Sequence, residues 1–237
     1  MSKELLNRKK EKCTNCTLKG CFCNYPYYLP TEVCIHNTSN DCWVSFNDGV
    51  YDLTELCQLW KGTKNIKPIL ALAGKDISHW FDREKNDIKH YIHPLNGKLV
   101  PYCPHGPIPD VDSISQISTW KTAKKMPWWK SEKYRIGNLT KNPRPCRIIN
   151  VLTGCEAIIS VCEEDTIRRI QKRFLIFNSN NESYTWTYEG KPVDLDKTLT
   201  ENGILDERDR FVNCGLPEDI YIPALLCHYN DDLTMTT

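Results

Sequence analysis

Four cysteines near the start of the chain have the residue type and the close spacing of a zinc site. Cys13 and Cys16 are separated by two residues, and Cys21 and Cys23 by one. Structural zinc takes four tetrahedral ligands, and thiolates separated by two residues are typical of such sites. The second pair and the short gap between the pairs do not match a common zinc finger. Two hypotheses therefore stand for this segment: a four-thiolate zinc site, or an arm that carries free thiols.

The other cysteines indicate small buried side chains. The chain has 13 cysteines in total, and its first residues contain no apolar run of the kind that a secretion signal needs. We therefore expect the cytoplasm as the compartment and mostly reduced thiols. Five cysteines lie in or beside apolar runs and are predicted to fill the core. They are Cys42, Cys57, Cys146, Cys155 and Cys162.

The sequence shows no constellation of an enzyme active site. It contains no phosphate-binding Walker loop, no dinucleotide-binding glycine pattern, no His-Glu-x-x-His and no nucleophile elbow. The acidic run Glu163-Glu164-Asp165 precedes a predicted helix, where negative charge is favourable. The sequence therefore predicts a protein that is not an enzyme.

Length and composition predict two small domains. The 237 residues carry a net charge of +1 at pH 7, so no global field favours nucleic acid or membranes as partners. The longest apolar run, around residues 68–73, is too short to cross a bilayer. We predict five segments along the chain. They are a basic, Cys-rich arm (1–30), a first domain (31–100), a linker rich in Pro, Trp and Lys (101–145), a second domain (146–230) and a tail (231–237).

The predicted linker combines basic and aromatic residues, and three hypotheses account for it. Trp120, Trp128 and Trp129 stand among lysines that include Lys124 and Lys125. Basic residues interleaved with aromatic ones can bind nucleic acid. They also suit docking on an acidic protein surface, because Trp and Arg are favoured at interfaces. In the third hypothesis, the tryptophans hold the linker against one or both domains.

The pattern of the first domain predicts a hairpin followed by short helices. Residues 42–53 read as two strands joined by an Asn-Asp-Gly turn. Thr54 is expected to cap a helix with leucines at helical spacing, among them Leu59. Two further helices are predicted over residues 69–74 and from residue 76 through residue 81. Such helices would surround a small sheet.

Residues 31–54 resemble the first part of a cytochrome b5 domain. They read TEVCIHNTSNDCWVSFNDGVYDLT, which is similar to the family pattern E-V-x-x-H-N-x-x-x-D-C-W-V…G-x-V-Y-D-L-T. Residues 73–76, Ala-Gly-Lys-Asp, are similar to a later part of the pattern, A-G-x-D. The resemblance implies the fold of that family, in which helices around a small sheet form a crevice for haem.

The resemblance also implies two axial imidazoles on opposite walls of the crevice. The chain departs from this pattern, because Trp60 stands at the first ligand position and Asn86 falls near the second. An indole N–H donates a hydrogen bond and offers no lone pair to iron. Substitute haem ligands are His79 first, then Cys57, His90 and His93. The alternative is a crevice that is filled by side chains and holds no haem.

The second domain has an order of elements that resembles ubiquitin. Strands over 147–151 and 157–161 precede a helix capped by residues 165–166, and further strands follow at 184–188 and 224–229. The Leu-Thr-Gly and Tyr-Glu-Gly turns are similar to those of ubiquitin, which implies a β-grasp fold. The predicted fold class is therefore α+β, with a cytochrome b5-like domain followed by a ubiquitin-like β-grasp domain.

Several short phrases together resemble a family of ciliary proteins that carry both domains. They are residues 73–82 (AGKDISHWFD), 127–129 (PWW), 184–191 (YTWTYEGK), 201–204 (ENGI) and 229–234 (YNDDLT). The resemblance implies a place in the cytoskeleton, at the radial spoke of the cilium axoneme, within a large complex that supports ciliary motility. Two alternatives stay open: a haem-binding redox sensor or electron carrier that uses His79, and an adapter in ubiquitin-type signalling.

Overall fold

The computed structural model describes residues 25–95, 97–111, 126–178 and 183–230. The candidate zinc ligands Cys13, Cys16, Cys21 and Cys23 lie outside these residues, as do Trp120, Lys124 and Lys125. The chain divides into two compact units, residues 1–139 and residues 140–237. No helix in the described ranges is long and apolar enough to span a bilayer.

The first unit is built from short strands and short helices. In chain order they are β1 (Tyr27–Tyr28), α1 (Pro30–Ile35), β2 (Asn37–Thr38), β3 (Asp41–Phe46), β4 (Gly49–Asp52), α2 (Thr54–Leu59), α3 (Lys67–Ala71), a 3-10 helix (Ser78–Trp80), β5 (Phe81–Asp82), β6 (Asp87–Ile88), β7 (His90–Ile92), β8 (Leu99–Pro101), a second 3-10 helix (Trp128–Lys130) and β9 (Arg135–Leu139). Five of the strands form a sheet in the order β1-β9-β4-β3-β2. The pairs β5-β6 and β7-β8 form separate two-stranded hairpins.

The predicted hairpin of the first unit is confirmed. Strands β3 and β4 pair antiparallel, with Phe46 opposite Gly49. The turn residues Asn47 and Asp48 both have positive φ angles, 47° and 63°. Such turns match the right-handed twist of the strands, and Asn and Asp tolerate this conformation better than other side chains do. The local sequence therefore fixes this hairpin.

The helices after the hairpin are shorter than the sequence predicts. Helix α2 begins at Thr54, but the prediction that Thr54 caps it was wrong, because the N-cap is Leu53 and the Thr54 hydroxyl accepts a hydrogen bond from the Cys42 amide instead. Leu59 at the end of the helix is exposed rather than part of the apolar face. The helix predicted from residue 76 is reduced to a single 3-10 turn, Ser78–Trp80. Asp76 accounts for this, because its carboxylate accepts hydrogen bonds from the amide and the hydroxyl of Ser78 and holds an Asx-type turn there.

The first unit extends well beyond residue 100, into the segment predicted as a linker. Strand β9 pairs antiparallel with β4 and parallel with β1, so it lies inside the sheet. Trp128 and Trp129 are 1% and 5% exposed and belong to the main core of this unit. The hypothesis that the tryptophans hold this segment against a domain therefore describes these two residues. The prediction that Trp128 and Trp129 are interaction residues on a free surface was wrong, because both side chains are buried.

A glycine permits the parallel contact between β1 and β9. A Cβ atom at Gly137 would lie 2.4 Å from a ring carbon of Tyr28 and 2.5 Å from the carbonyl oxygen of Pro26. The Pro26 carbonyl itself accepts a hydrogen bond from the Asn138 amide. The N-terminal strand can approach this closely only because residue 137 has no side chain.

The second unit combines a mixed five-stranded sheet with two helices. Its elements are β10 (Pro143–Asn150), β11 (Glu156–Cys162), α4 (Ile167–Phe174), β12 (Tyr184–Tyr188), β13 (Lys191–Pro192), a 3-10 helix (Thr200–Asn202), α5 (Arg208–Asn213) and β14 (Ala224–Tyr229). The strand order is β11-β10-β14-β12-β13. Strands β10 and β14 are parallel, whereas β10-β11, β12-β14 and β12-β13 are antiparallel. The predicted hairpin, helix and later strands are thus confirmed as elements.

Helix α4 packs on the sheet in the predicted way. Its N-cap is Thr166, whose hydroxyl accepts a hydrogen bond from the Arg169 amide. Ile167, Ile170 and Phe174 are buried on one face. Their spacing of three and four residues is that of a helix with one apolar side.

Four of the five cysteines predicted to fill a core are buried. They are Cys42, Cys57, Cys146 and Cys162. Cys155 is exposed, so its assignment to the core was wrong. The tight turn explains this exposure: Gly154 before it has a positive φ of 70°, and the chain reverses there before strand β11 begins. The residue lies beside an apolar run in sequence but at the surface in space.

Candidate functional site

The first haem-ligand position of the cytochrome b5 pattern lies at the end of helix α2. Trp60 is the residue after the last helical turn, and its amide donates to the Leu56 carbonyl. The indole is partly buried and packs against the main core of the first unit. An indole ring in this place occupies volume but offers no lone pair to a metal.

The second ligand position supplies no imidazole either. Asn86 lies in the turn between β5 and β6, with a positive φ of 47°, and it is exposed. A carboxamide in a left-handed turn position is a common structural choice. The residues at the two family positions therefore do not fit two axial imidazoles for haem iron.

Aromatic side chains fill the interior next to these positions. Trp80 is 2% exposed, and Phe81 stacks on Phe46 with 4.3 Å between ring centroids. Trp128 contacts Phe46 and Phe81 edge to face. The indole N–H groups of Trp80 and Trp128 are buried without a hydrogen-bond partner. This packing resembles the filled crevice that the sequence offered as an alternative, and it leaves two buried donors unsatisfied at some cost in stability.

His79, the first substitute candidate, lies at the surface of the first unit. It belongs to the 3-10 helix Ser78–Trp80 and is exposed. Its ring lies 6.3 Å from that of His105, centroid to centroid, in an edge-to-face arrangement. The ring of His105 also lies 6.1 Å from that of Trp80. His105 was not among the predicted candidates, and only its distance in space identifies it.

The other substitute candidates are not brought together with His79 into one metal centre. His90 lies on strand β7, and His93 follows that strand, where its Nδ1 accepts from the Leu95 amide at 3.3 Å. Cys57 is buried in helix α2. Across the described residues, no three His, Cys, Asp or Glu side chains lie close enough to hold a metal ion. The predicted candidates thus occupy separate parts of the first unit.

Comparison with known proteins identifies the relationship of the whole chain. A family model described as the cytochrome b5-like haem/steroid binding domain matches residues 30–140. The cytochrome b5 domain-containing protein 1 of Xenopus tropicalis is 43% identical over 208 residues, which cover 88% of this chain and 96% of that protein. The chain belongs to the cytochrome b5 domain-containing protein 1 family.

Further relatives match the chain over different lengths. The human cytochrome b5 domain-containing protein 1 is 43% identical over 88% of this chain and 91% of its own length. A cytochrome b5 of Borago officinalis is 33% identical over 44% of this chain and 71% of its own length. A designed protein based on ubiquitin covers 40% of this chain at 15% identity and a TM-score of 0.30, which is too low to support an argument. Haem is therefore a cofactor consistent with the matched domain, although the residues at the two ligand positions differ from the cytochrome b5 pattern.

This member of the cytochrome b5 domain-containing protein 1 family presents an exposed apolar hairpin. Strands β7 and β8 pair from His90 opposite Pro101 to Ile92 opposite Leu99. Ile92, Leu95 and Leu99 are 69%, 90% and 68% exposed. We name residues 90–101 the apolar hairpin. Large aliphatic side chains clustered at this exposure are typical of interaction surfaces.

The segment that contains the apolar hairpin carries no acidic residue. The sequence has no Asp or Glu from Lys89 through Pro109, whereas it has lysines and histidines there. A cavity of about 510 Å³ lies at the base of the hairpin. Its walls are formed by Asp82, Lys85, Asp87, Ile88, Lys89, His90 and Leu99. The sequence signal that could have found this surface is the long stretch without acidic residues that contains Ile92, Leu95 and Leu99.

The acidic groups at the base of the hairpin have partners within the unit. Asp87 accepts hydrogen bonds from the Trp129 indole at 3.0 Å and the Lys130 ammonium at 2.5 Å. Burial works against ionisation, but these bonds and the Ile88 amide together lower the pKa of Asp87 below its usual range. Asp82 accepts from two backbone amides and pairs with Lys85 at 3.5 Å. Hydrogen bonds and ion pairs within the first unit therefore largely compensate the negative charge of both carboxylates.

Proposed function

We propose that the chain is a non-enzymatic accessory subunit of the ciliary axoneme, located at the radial spoke, that supports or regulates ciliary motility. Its partners are other axonemal and radial spoke proteins, in a large complex within the cytoskeleton of the cilium. The proposal rests on membership of the cytochrome b5 domain-containing protein 1 family and on the ciliary resemblance of the phrases distributed along the chain.

One observation carries the docking role: the apolar hairpin exposes Ile92, Leu95 and Leu99 beside a basic flank. Burial of three such side chains against a partner would remove apolar surface from water, at about 25 cal/mol per Å². The lysines around them favour a partner surface with acidic residues at its rim.

The test of this proposal is retention in the axoneme. The variant Ile92→Ser/Leu95→Ser/Leu99→Ser removes the apolar side chains without touching the core. We expect it to be lost from detergent-extracted axonemes while the wild-type chain is retained. The variant Val212→Ser/Leu216→Ser/Ile220→Ser changes three exposed aliphatic residues of the second unit and serves as a matched control. A wild-type chain that washes out of axonemes completely would contradict the ciliary proposal, whereas full retention of the hairpin variant would contradict only the docking surface.

The second unit is proposed to be a β-grasp interaction module. Support comes from the order of elements along the chain, a hairpin followed by helix α4 and further strands, which is the order that resembles ubiquitin. Leu152 in the first turn is exposed and matches one position of the apolar docking patch of ubiquitin by sequence resemblance, whereas Thr187 stands in place of the central isoleucine of that patch. A weaker alternative is thus an adapter in ubiquitin-type signalling. Binding assays with purified ubiquitin-pathway proteins that show no association would count against this alternative.

The second candidate function is a haem-binding redox sensor or electron carrier that uses His79. The observation in its favour is the exposed imidazole pair of His79 and His105, within a domain matched by a haem-binding family model. Haem titration of the purified chain tests it. This candidate requires a stoichiometric Soret band that is lost in His79→Ala and weakened in His105→Ala but kept in His36→Ala. A spectrum of free haem alone would exclude it.

A further inference from the structure

The second unit has an edge strand that no described strand covers. Strand β11 pairs with β10 along one side and stands at the end of the strand order β11-β10-β14-β12-β13. Its other side has no partner strand in the described ranges. An open edge presents backbone N–H and C=O groups in a row, and a further strand can bind to them.

The hydrogen bonds of strand β10 show which backbone groups of β11 face the open side. The Asn150 amide donates to the Cys155 carbonyl at 2.9 Å, whereas the Arg147 amide points to the other neighbour and donates to the Pro223 carbonyl at 3.0 Å. The register of β10 and β11 then continues without a shift along the whole pair. Even-numbered residues of β10 therefore bond to odd-numbered residues of β11, and the even-numbered residues of β11 turn their backbone groups to the open side.

The central residues of the open side are Ile158 and Ser160. Pro145 agrees with this assignment, because it lies opposite Ser160 in β10 and has no N–H to donate. The open side ends at Cys162, whose amide donates to the Asp165 carboxylate at 3.0 Å. Strand β11 thus offers a short row of backbone donors and acceptors with the spacing of an extended peptide.

Strand β11 lacks the features by which proteins usually prevent such pairing. Edge strands are commonly protected by lysine, by proline, by a bulge or by very short length. Strand β13, at the opposite edge of the same sheet, has the lysine, the proline and the short length, since it consists of Lys191–Pro192 alone. Strand β11 reads EAIISVC, and its one charged residue, Glu156, is the first. An edge of this length without protection indicates a surface that binds another strand.

Both faces of the edge carry apolar side chains that a further strand would cover. On the face that packs with helix α4, Ala157 and Ile159 are partly buried against the core of the second unit. On the other face, Ile158 is 52% exposed. Side chains of neighbouring strands lie side by side, so an added strand places its own residues next to these. The edge therefore selects aliphatic side chains on both faces of the added strand.

Helix α4, which packs beside this edge, is basic. Its sequence IRRIQKRF has four basic residues and no acidic one, and Lys172 among them is exposed. Asp165 pairs with Arg169 at 3.3 Å and with Arg173 at 2.6 Å, so two guanidinium groups share this carboxylate. Arg173 also donates to the Cys162 sulfur at 3.1 Å, which places this side of α4 beside the end of β11. Charge complementarity therefore favours acidic residues in the added strand.

The same charges decide between two occupants of the edge. A second copy of the chain, with β11 antiparallel to β11, would place two copies of helix α4 on the same face of one continuous sheet. Their basic side chains would repel each other across the junction. An acidic segment of another protein is attracted instead, so the observations favour it over a second copy.

We propose that strand β11 binds an extended segment of a partner protein as an additional strand, and that this segment has aliphatic residues in its centre and acidic residues at its ends. Backbone hydrogen bonds to Ile158 and Ser160 hold the segment, the isoleucines of β11 select its aliphatic side chains, and helix α4 selects its acidic ones. The inference rests on the proposed function in one respect, since it names the ligand of the interaction module proposed for the second unit. It depends neither on the place at the radial spoke nor on the apolar hairpin.

The experiment uses the purified full-length chain and the peptide acetyl-Asp-Glu-Val-Ile-Thr-Val-Ile-Glu-Asp-amide as the probe. Amide hydrogen exchange is followed by NMR with and without the peptide. We expect the amides of Ile158 and Ser160 to exchange quickly in the free chain and to become protected when the peptide binds. The amides of residues 157, 159 and 161 already bond to β10 and should change little. This alternation along one strand distinguishes strand addition from binding to a face of the sheet.

Two pairs of variants separate the contributions of backbone and charge. Ser160→Pro removes an open-side N–H without removing a bond to β10, and it should weaken peptide binding about tenfold or more. Ser160→Ala keeps the N–H and should bind as the wild type does. Lys172→Glu should weaken binding of the acidic peptide, whereas Lys191→Glu, at the opposite edge of the sheet, should have a smaller effect. Fluorescence anisotropy of the labelled peptide measures each affinity.

The exchange measurement on the wild-type chain decides the proposal even where the proline variant folds poorly. Slow exchange at Ile158 and Ser160 in the free chain would overturn it, because another part of the chain or a second copy would then cover the edge. Absence of peptide binding, or protection confined to other strands, would overturn it too. So would equal affinity for a peptide with lysines in place of the acidic residues. Axoneme retention of the hairpin variant concerns a different surface, so failure here leaves the axonemal proposal standing.

Discussion

The indole nitrogen of Trp129 lies 3.0 Å from the carboxylate of Asp87, across 42 residues of sequence. This hydrogen bond joins the segment before strand β9 to the β5-β6 hairpin. Lys130 adds an ion pair to the same carboxylate. The segment that the sequence suggested as a linker is therefore held at the base of the apolar hairpin by a specific polar contact as well as by apolar burial.

The Asp87 carboxylate should make the stability of the first unit depend on pH. Because hydrogen bonds lower its pKa in the folded chain, its stabilising effect is present above the unfolded pKa and is lost as pH falls through the folded pKa. We expect Asp87→Asn to lower the free energy of unfolding at pH 7, and the difference from wild type to shrink as pH falls through the lowered pKa of Asp87 in the folded chain. Urea unfolding followed by tryptophan fluorescence measures this. Glu84→Gln, an exposed change in the same hairpin, is the control and should show neither effect.

Gly137 should not accept even the smallest side chain. Alanine there would place its Cβ within 2.4 Å of the Tyr28 ring and 2.5 Å of the Pro26 carbonyl, so β1 must move away from β9. We expect Gly137→Ala to destabilise the first unit by about 2 kcal/mol. Thermal and urea unfolding check this value. In the double variant Gly137→Ala/Tyr28→Ala, the loss of stability should be smaller than the sum of the losses in the two single variants. A loss equal to that sum would mean that the clash with the Tyr28 ring does not contribute.

The second unit should depend on a buried arginine. Arg144 is 1% exposed, and its guanidinium donates to Glu163 at 2.9 Å and to the Ile204 carbonyl at 3.1 Å. Arg144→Ala leaves these acceptors without their donor, and we expect a loss of about 3 kcal/mol in the free energy of unfolding. The control is Arg168→Ala, which removes an ion pair with Asp196 on the surface and should change stability by less than about 1 kcal/mol. Equal losses in the two variants would contradict the role given to burial.

The reactivity of the cysteine thiols of the second unit should follow their exposure to solvent. Burial raises the pKa of Cys146 to about 12, whereas Cys155 is exposed in a turn. A thiol that is buried and protonated reacts slowly with alkylating reagents. We expect N-ethylmaleimide to label Cys155 rapidly in the native chain and Cys146 only after unfolding, at pH 7 and at pH 9 alike. Peptide mass spectrometry follows both residues in one sample, and early labelling of Cys146 would contradict its placement in the core.

Local sequence patterns predicted the elements that depend on local physics. The turn at Asn47-Asp48 and the helix capped by Thr166 follow from neighbouring residues, and both are present. Strand β9 could not be found in this way, because its partners are β1 and β4, about a hundred residues earlier. Strand pairing over such long sequence separations leaves only a short alternation of apolar and polar residues in the sequence.

The candidate site was predictable in composition but not in arrangement. The sequence located Trp60 at the first ligand position, and the structure shows its indole packed against the core. It gave no reason to pair His79 with His105, since the two residues lie in different parts of the chain. Such contacts depend on the packing of whole elements, and a residue's type alone does not determine them.

The position of strand β9 changes what an insertion between residues 111 and 126 would mean. Val111 and Met126 both belong to the first unit, which runs on through residue 139. Added length at this point is an insertion within one domain, and its entropic cost grows only slowly with length. Homologues that differ in length here are therefore expected to keep the same pairing of strand β9 with β1 and β4.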